Sequence, residues 1–125
     1  MMARILLAED AESVREYVRR ALEQRGHEVV AVEDGGAALE RLDDPDFDLV
    51  VADIVMPVMD GIALALKIGA ERPDLPVLLM TGYVTEKQRA HNLDSLIAEV
   101  LSKPFTMDQL HAAVRRALAG KPAQA

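Results

Sequence analysis

Short apolar runs alternate with longer amphipathic stretches along the whole chain. A short continuous apolar run that ends at polar residues is typical of a strand buried on both faces, as in a parallel sheet. Five such runs occur, at residues 5–8, 29–32, 49–52, 77–80 and 100–101. We therefore expect five strands.

The stretches between these runs have apolar residues at the spacing of amphipathic helices. Gly26 supplies a stop signal after the first helix, and Gly35 with Gly36 breaks the chain before the second. Thr106 and Gln109 have the spacing of a capping box at the start of the last helix. The predicted helices cover residues 11–25, a short segment after Gly36, residues 62–71, residues 85–96 and a segment from residue 106 to residue 120.

Alternating strands and helices predict an α/β domain with a parallel sheet, helices on both faces and right-handed crossovers. The chain has 125 residues, a length that fits a single domain. We expect this domain to cover residues 1–120 and to be followed by a short flexible tail over residues 121–125.

Composition and charge narrow the class of protein. The chain has no cysteine, so neither a disulfide framework nor a thiolate metal site is available. Its net charge of −7 argues against a nucleic-acid binder that works by neutralising phosphates. No apolar run approaches the roughly 20 residues that span a bilayer, and the first residues lack the pattern of a signal peptide. We expect a cytoplasmic protein that binds neither nucleic acid nor membranes.

Carboxylates follow two of the predicted strands. Glu9 and Asp10 come after the first strand, and Asp53 comes after the third. In an open α/β sheet, ligands bind outside the carboxyl ends of the strands, where the strand order reverses. If strands one and three are neighbours, the three carboxylates lie close together and repel one another. A divalent cation such as Mg²⁺, which prefers oxygen ligands, would offset this repulsion. A lone carboxylate there is more often a helix cap, so the prediction depends on the combination.

Two further polar residues end strands at the same edge. Lys103 follows the fifth strand, where it would pair with a carboxylate and then with a phosphoryl oxygen. Thr81 follows the fourth strand and offers a hydroxyl donor to a phosphoryl group. The Lys103–Pro104 bond is a candidate cis peptide, although only about 5–6% of such bonds are cis in folded proteins.

Four motifs together resemble the receiver domain of two-component response regulators over nearly the whole chain. They are residues 5–10 (ILLAED), residues 53–61 (DIVMPVMDG), Thr81-Gly82 and Lys103-Pro104-Phe105. The order and the spacing are those of the family. The resemblance implies a flavodoxin-like, CheY-like doubly wound fold with five parallel strands in the order 2-1-3-4-5 and five helices. That strand order comes from the resemblance and not from the residues.

The resemblance also implies a role for each matching residue. Asp53 is the expected phosphoacceptor. Asp10 and Asp53 are expected to ligate Mg²⁺ through their side chains and Val55 through its backbone carbonyl, while Glu9 acts through a metal-bound water. No small-molecule cofactor is expected.

Two residues are expected to act on the phosphoryl group itself. Lys103 pairs with it, and Thr81 is the switch hydroxyl that moves to meet it. Many receivers also carry an aromatic residue three positions before this lysine, whose ring swings inward with the threonine. Here that position is Val100, which has no ring to swing. Tyr83 either substitutes for the missing ring, or gates the phosphoryl site, or is an ordinary loop residue.

The expected donor is a histidine kinase or a histidine phosphotransfer protein that docks near Val14, Arg15 and Val18 of the first helix. Val18 is better explained as a core residue. Within the family, the chain looks most like the receivers of hybrid kinases and the stand-alone receivers of the CpdR group, which are linked to the ClpXP protease. The expected function is therefore a switch in partner binding, with a phosphate shuttle or sink as the alternative.

Three other classes fit less well. A Mg²⁺-dependent phosphatase usually has a second aspartate two positions after the nucleophile, where this chain has Val55. A flavodoxin-like cofactor binder needs a phosphate-binding loop after the first strand, where Glu9 and Asp10 would repel a phosphate. An interaction module that has lost phosphorylation would not keep every expected site residue. We therefore do not expect an enzyme beyond self-catalysed phosphoryl transfer and slow autodephosphorylation.

Overall fold

The computed structural model of the chain describes residues 2–82, 88–90 and 97–120. The strands in these residues are β1 (Arg4–Ala8), β2 (Glu28–Val32), β3 (Leu49–Asp53), β4 (Val77–Thr81) and β5 (Glu99–Ser102). The helices are α1 (Glu12–Gln24), α2 (Gly35–Arg41), α3 (Gly61–Glu71) and α4 (Met107–Ala119). Residues 88–90 are helical as well. None of these helices is both long and apolar enough to cross a bilayer.

The five strands form one parallel sheet in the order β2-β1-β3-β4-β5, as the resemblance implied. The order reverses between β1 and β3, where Ala8 pairs with Ala52 in register. Because the two strands are parallel, Glu9 and Asp53 follow matched positions at the same edge of the sheet. This arrangement brings the carboxylates of two distant segments together.

The core has one apolar layer on each face of the sheet. The central strands β1, β3 and β4 are buried almost throughout, which explains why their sequences are continuous apolar runs. Leu6 and Val50 face the layer that α2 and α3 cover, whereas Leu7 and Val51 face the layer that α1 and α4 cover. Each fully buried aliphatic side chain contributes roughly 1.5–3 kcal/mol relative to exposure, so these layers fix the strand ends that carry the polar residues.

The start of α2 corrects one prediction. Gly35 and Gly36 do not interrupt the chain before the helix but form its first turn. The helix begins there because the Asp34 carboxylate accepts a hydrogen bond from the Ala37 N–H at 2.8 Å. A Cβ at Gly35 would overlap the carbonyl oxygen of Met59, so this position requires glycine for close packing.

The loop between β3 and α3 contains a strained turn. The Met59 N–H donates to the Pro57 carbonyl at 2.7 Å, and the intervening Val58 has a φ of 70°. A hydrogen bond that spans three residues with a positive φ at the centre is a γ-turn, which is rare and strained. A β-branched residue at such a φ is an outlier, and the Val58 side chain is 83% exposed. Local preference alone would not place a valine here.

Several predictions fall partly or wholly outside the described residues. The predicted helix over residues 85–96 is described only at residues 88–90. Tyr83 and the predicted tail over residues 121–125 also lie outside. The predicted capping box is confirmed, because the Thr106 hydroxyl accepts from the Gln109 N–H and the Gln109 side chain accepts from the Thr106 N–H.

Candidate functional site

The acidic residues meet in a cleft at the carboxyl edge of the sheet. Glu9 and Asp10 directly follow β1, and Asp53 is the last residue of β3. One carboxylate oxygen from each of the three lies within 4.8 Å of the others. The cleft has a volume of about 390 Å³, and its lining comprises Glu9, Asp10, Ala11, Asp53, Val55, Gly82 and Lys103. The predicted convergence is therefore present in the structure.

The three carboxylates differ in their burial. Glu9 is fully buried and Asp53 is 7% exposed, whereas Asp10 is exposed to solvent. The Ala11 N–H donates to one oxygen of Glu9 at 3.0 Å. The backbone after Asp53 is held on β4, where the Ile54 N–H donates to the Met80 carbonyl at 2.9 Å. Two of the charges are thus fixed in place inside the cleft.

Lys103 bridges the two buried carboxylates. Its Nζ lies 2.9 Å from Glu9 Oε1 and 3.0 Å from Asp53 Oδ1. The side chain reaches them because the Lys103 N–H donates to the Thr81 carbonyl at 2.8 Å, which ties the end of β5 to β4. The Lys103–Pro104 peptide bond that follows is cis. A single ammonium group thus serves two buried carboxylates.

The charges in the cleft do not balance. Burial raises the pKa of Asp53 more strongly than the hydrogen bond from Lys103 lowers it. Burial likewise raises the pKa of Glu9, and repulsion from Asp53 adds to that shift. Burial alone would lower the pKa of Lys103, but the two carboxylates together hold it above the ordinary value. Three carboxylates and a single ammonium group in the same cleft leave an excess of formal negative charge.

The donor set suits a hard divalent cation. Mg²⁺ prefers oxygen ligands, binds through one or two carboxylates and keeps several waters. Asp10 and Asp53 offer carboxylate oxygens, and Val55 lines the same cleft. Both oxygens of Glu9 already accept hydrogen bonds, from Ala11 and Lys103. Glu9 therefore suits an indirect role through a water better than direct ligation.

Thr81 and Val100 lie beside the cleft. Thr81 ends β4 and is 2% exposed, and it does not belong to the described lining of the cleft. A switch role for its hydroxyl therefore requires movement. Val100 is half-buried and packs against the apolar layer that α2 and α3 cover.

Gly61 positions the phosphoacceptor candidate and was missed as a functional residue. In the sequence it is the last residue of the motif over residues 53–61, and no role was assigned to it. A Cβ at Gly61 would overlap the backbone carbonyl of Asp53 and lie 2.9 Å from Ile54 Cα. Its N–H donates to the Ile54 carbonyl at 2.8 Å. Any side chain at residue 61 would therefore displace Asp53.

An apolar groove of about 380 Å³ adjoins the cleft. Its lining comprises Ser13, Val14, Tyr17, Lys103, Pro104 and Phe105. The Tyr17 side chain is 42% exposed, and its ring centroid lies 6.4 Å from that of Phe105. Neither ring was singled out as a docking residue from the sequence. Val14 and Tyr17 are three positions apart on one helix, and this spacing could have indicated from the sequence that they share a face.

The two other predicted docking residues have different positions. Val18 is fully buried in the layer that α1 covers, so its explanation as a core residue is confirmed. The Arg15 guanidinium donates to the backbone carbonyl of Glu9 at 2.8 Å. Arg15 therefore supports the backbone of the cleft as well as its rim.

Comparisons with known proteins agree with this geometry. Residues 5–115 match the family model of the response regulator receiver domain. The chain is 41% identical to the response regulator receiver protein CpdR of Brucella abortus, over 87% of this chain and 91% of that protein. It is 35% identical to the response regulator MprA of Mycolicibacterium vanbaalenii, over 94% of this chain but only 51% of that protein.

One similar solved structure is a complex with Mg²⁺-BeF. The response regulator protein TrrA from Thermotoga maritima, crystallised in complex with Mg²⁺-BeF, superposes with a TM-score of 0.85. It is 30% identical and is aligned over 94% of this chain and all of TrrA. The chain spans nearly all of CpdR and TrrA but about half of MprA.

Replacing Asp53 by asparagine should stabilise the metal-free protein at pH 7. Folding raises the pKa of Asp53, so ionising this group costs folding free energy at every pH above its folded-state pKa. A gain of order 1 kcal/mol would raise Tm by roughly 3–6 °C for a chain of this size. The gain should shrink as the pH falls through that pKa, and thermal melts in EDTA at several pH values measure it.

The exposed Asp74 supplies the control for this experiment, because it lies outside the cleft. Asp74→Asn should leave Tm nearly unchanged. An Asp53→Asn protein that melts below wild type in EDTA at pH 7 would show that the pair with Lys103 outweighs the crowding of negative charge.

Proposed function

The chain belongs to the response regulator receiver domain family, and we propose that it accepts a phosphoryl group on Asp53 in a Mg²⁺-dependent reaction. The observation that carries the proposal is the shared cleft, in which Lys103 Nζ lies 3.0 Å from Asp53 Oδ1 beside two further carboxylates. The chain would act as a switch that is phosphorylated on its own Asp53, and it would not turn over an external substrate.

The reaction is a displacement at phosphorus. A histidine kinase or a phosphotransfer protein presents a phosphohistidine, and an oxygen of the Asp53 carboxylate attacks the phosphorus atom. The new O–P bond forms as the P–N bond breaks, and the electron pair of that bond returns to the imidazole nitrogen. Phosphoryl transfer leaves little other covalent work to a protein, so positioning and neutralisation of charge dominate.

The cleft residues supply that positioning. Asp10 and Asp53 would hold Mg²⁺ together with the Val55 carbonyl, and Glu9 would act through a water. When bound, Mg²⁺ neutralises charge on the phosphoryl oxygens. Lys103 is already held by Glu9 at 2.9 Å, so its ammonium group can turn from Asp53 to a phosphoryl oxygen and keep one partner.

Thr81 would couple phosphorylation in the cleft to a change of conformation. Its hydroxyl would move to the phosphoryl group and shift the population between two conformations of the domain. Val100 packs in the apolar layer in place of the usual aromatic residue, so this chain would transmit the change without a swinging ring at that position.

Phosphorylation should occur at Asp53 alone. In the presence of Mg²⁺ and acetyl phosphate, we expect the intact mass of the wild-type protein to increase by one phosphoryl group. Asp53→Asn should show no gain, and EDTA should abolish the gain in the wild type. Asp74→Asn is the matched control and should behave as wild type. A labile adduct on the Asp53→Asn protein would refute the assignment.

The groove lined by Tyr17 and Phe105 is the proposed docking face for the phosphodonor protein. It adjoins the cleft, and exposed aromatic side chains are enriched among residues that dominate binding energy at interfaces. Arg15 is a poorer probe of docking, because its guanidinium also supports the Glu9 backbone. Tyr17 lines the groove and packs near the Phe105 ring. Among the described residues, its side chain has no hydrogen bond to a residue of the cleft.

Tyr17→Ala should separate docking from chemistry. With a phosphorylated kinase that modifies the wild-type protein, we expect transfer to slow about tenfold, which corresponds to the loss of about 1.4 kcal/mol of binding. The rate with acetyl phosphate should stay at the wild-type value. Leu66→Ala is the control, since Leu66 is similarly exposed at 46% but lies on α3. Equal slowing with both donors would contradict the docking assignment.

For the output, we propose phosphorylation-dependent binding of a protein partner, with regulation of ClpXP proteolysis as the first choice. The specific support is the 41% identity to CpdR over 91% of that protein's length. The alternative is a phosphate shuttle or sink within a phosphorelay. We also propose that the protein acts in the cytoplasm.

A pull-down with three forms of the chain distinguishes these outputs. The forms are wild type, Asp53→Asn and protein phosphorylated with acetyl phosphate. We expect a protease component to be recovered with one phosphorylation state and not the other. Recovery of a phosphotransfer protein alone, in every state, would replace the adaptor proposal by the shuttle.

A further inference from the structure

A cavity lined in part by basic side chains lies at the opposite edge of the sheet from Asp53. It has a volume of about 130 Å³ and lies between the end of α1, the start of β2 and α4. Its lining comprises Arg25, His27, His111, Val114, Arg115 and Leu118. His27 directly precedes β2, which places the cavity at the amino edge of the parallel strands. None of these residues takes part in the proposed phosphorylation.

His111 is the most informative residue in this cavity. It is only 7% exposed, and no hydrogen bond or ion pair is recorded for its side chain within the described part of the chain. No described side-chain nitrogen is both sealed from solvent and unbonded, so the ring nitrogens open onto the cavity. A molecule in the cavity can therefore reach the His111 ring, whose nitrogens have no partner among the described groups of the chain.

His27 is held in a defined tautomer beside it. The Ala3 N–H donates to His27 Nδ1 at 3.0 Å. Because Nδ1 accepts, the neutral ring carries its proton on Nε2 and remains a donor there. The cavity is therefore lined by a histidine with a fixed donor as well as by the unpaired His111.

Two arginines add positive charge. The Arg25 and Arg115 side chains form no ion pair within the described ranges, whereas the Arg116 guanidinium is bound to Glu99. Basic residues are common near the ends of helices, so these arginines alone would indicate nothing. Together with a buried imidazole that lacks a partner, they form a concentrated positive site in a chain of net charge −7.

We propose that this cavity binds a small oxyanion of the phosphate class, held by His27, His111, Arg25 and Arg115. All four side chains can donate hydrogen bonds to anionic oxygens, and guanidinium groups match the geometry of phosphate. The cavity volume of about 130 Å³ gives space for several water molecules and therefore for a small oxyanion. The proposal goes beyond phosphorylation of Asp53 and does not rest on it.

Occupancy should change the titration of both histidines. Burial lowers the pKa of His111, and the nearby Arg25 and His27 lower it further. Burial also lowers the pKa of His27. Arg115 acts on His111 in the same direction, and Asp108 of α4 is the acidic group that opposes them. A bound oxyanion would offset this positive charge and raise the pKa of both imidazoles.

The test is a titration of the full chain with inorganic phosphate in EDTA, followed by NMR of the histidine side chains. We expect saturable shifts of His27 and His111 and a rise in the pKa of both. Sodium chloride at matched ionic strength should give neither. A parallel titration with glycerol phosphate identifies the source: binding equal to that of phosphate indicates the phosphate group of a larger ligand, and much weaker binding indicates the free ion. Both outcomes support the site.

Variants assign the effect to the cavity. Arg115→Gln should weaken phosphate binding about tenfold, as expected for the loss of a charge-assisted hydrogen bond. Arg20→Gln removes the same charge from an exposed position on α1 and should bind as wild type. His111→Phe keeps the packing volume and should abolish the response of His27. Asp53→Asn should bind phosphate normally. The proposal is overturned if chloride reproduces the shifts or if Arg115→Gln binds as tightly as wild type.

Discussion

One lysine placed against two buried carboxylates is the interaction on which the rest of the site depends. Lys103 binds Glu9 and Asp53 at the same time, and Asp10 adds a third carboxylate in the same cleft. A buried carboxylate with no positive group beside it would take up a proton. A site whose negative charges were all paired with positive groups would not attract a metal ion. One ammonium group for three carboxylates lies between these limits. The cleft therefore keeps an excess of formal negative charge, which suits the cation proposed above.

The fold creates this arrangement through the topology of its sheet. The reversal of strand order between β1 and β3 sets two carboxyl ends side by side, and the buried strands leave those ends little freedom to shift. Gly61 then lets α3 start directly against the backbone of Asp53. Asp53 is therefore held by close backbone packing on one side and by Lys103 on the other.

The sequence predicts what local patterns determine. Apolar runs predict the buried strands because a central parallel strand must be apolar on both faces, and the polar residues that end those runs identify Glu9, Asp53 and Lys103. Local patterns fail where the tertiary structure overrides preference. Val58 has a positive φ that its β-branched side chain disfavours, and α2 begins at Gly35 because Asp34 caps it. The contact between Tyr17 and Phe105 depends on packing between α1 and the loop before α4, which no local pattern predicts.

Basic and acidic side chains lie at opposite edges of the sheet, which leaves the negative charge of the cleft only partly neutralised. Arg25 and Arg115 lie at the amino edge of the sheet, far from the carboxylates at the other edge. A guanidinium beside Asp53 would add bidentate hydrogen bonds that a single lysine cannot make, and it would occupy the place of a divalent cation. An acidic group at the opposite edge would likewise pair with the arginines and satisfy His111. The carboxylates lie at one edge of the sheet and the two arginines at the other, so neither set of charges neutralises the other.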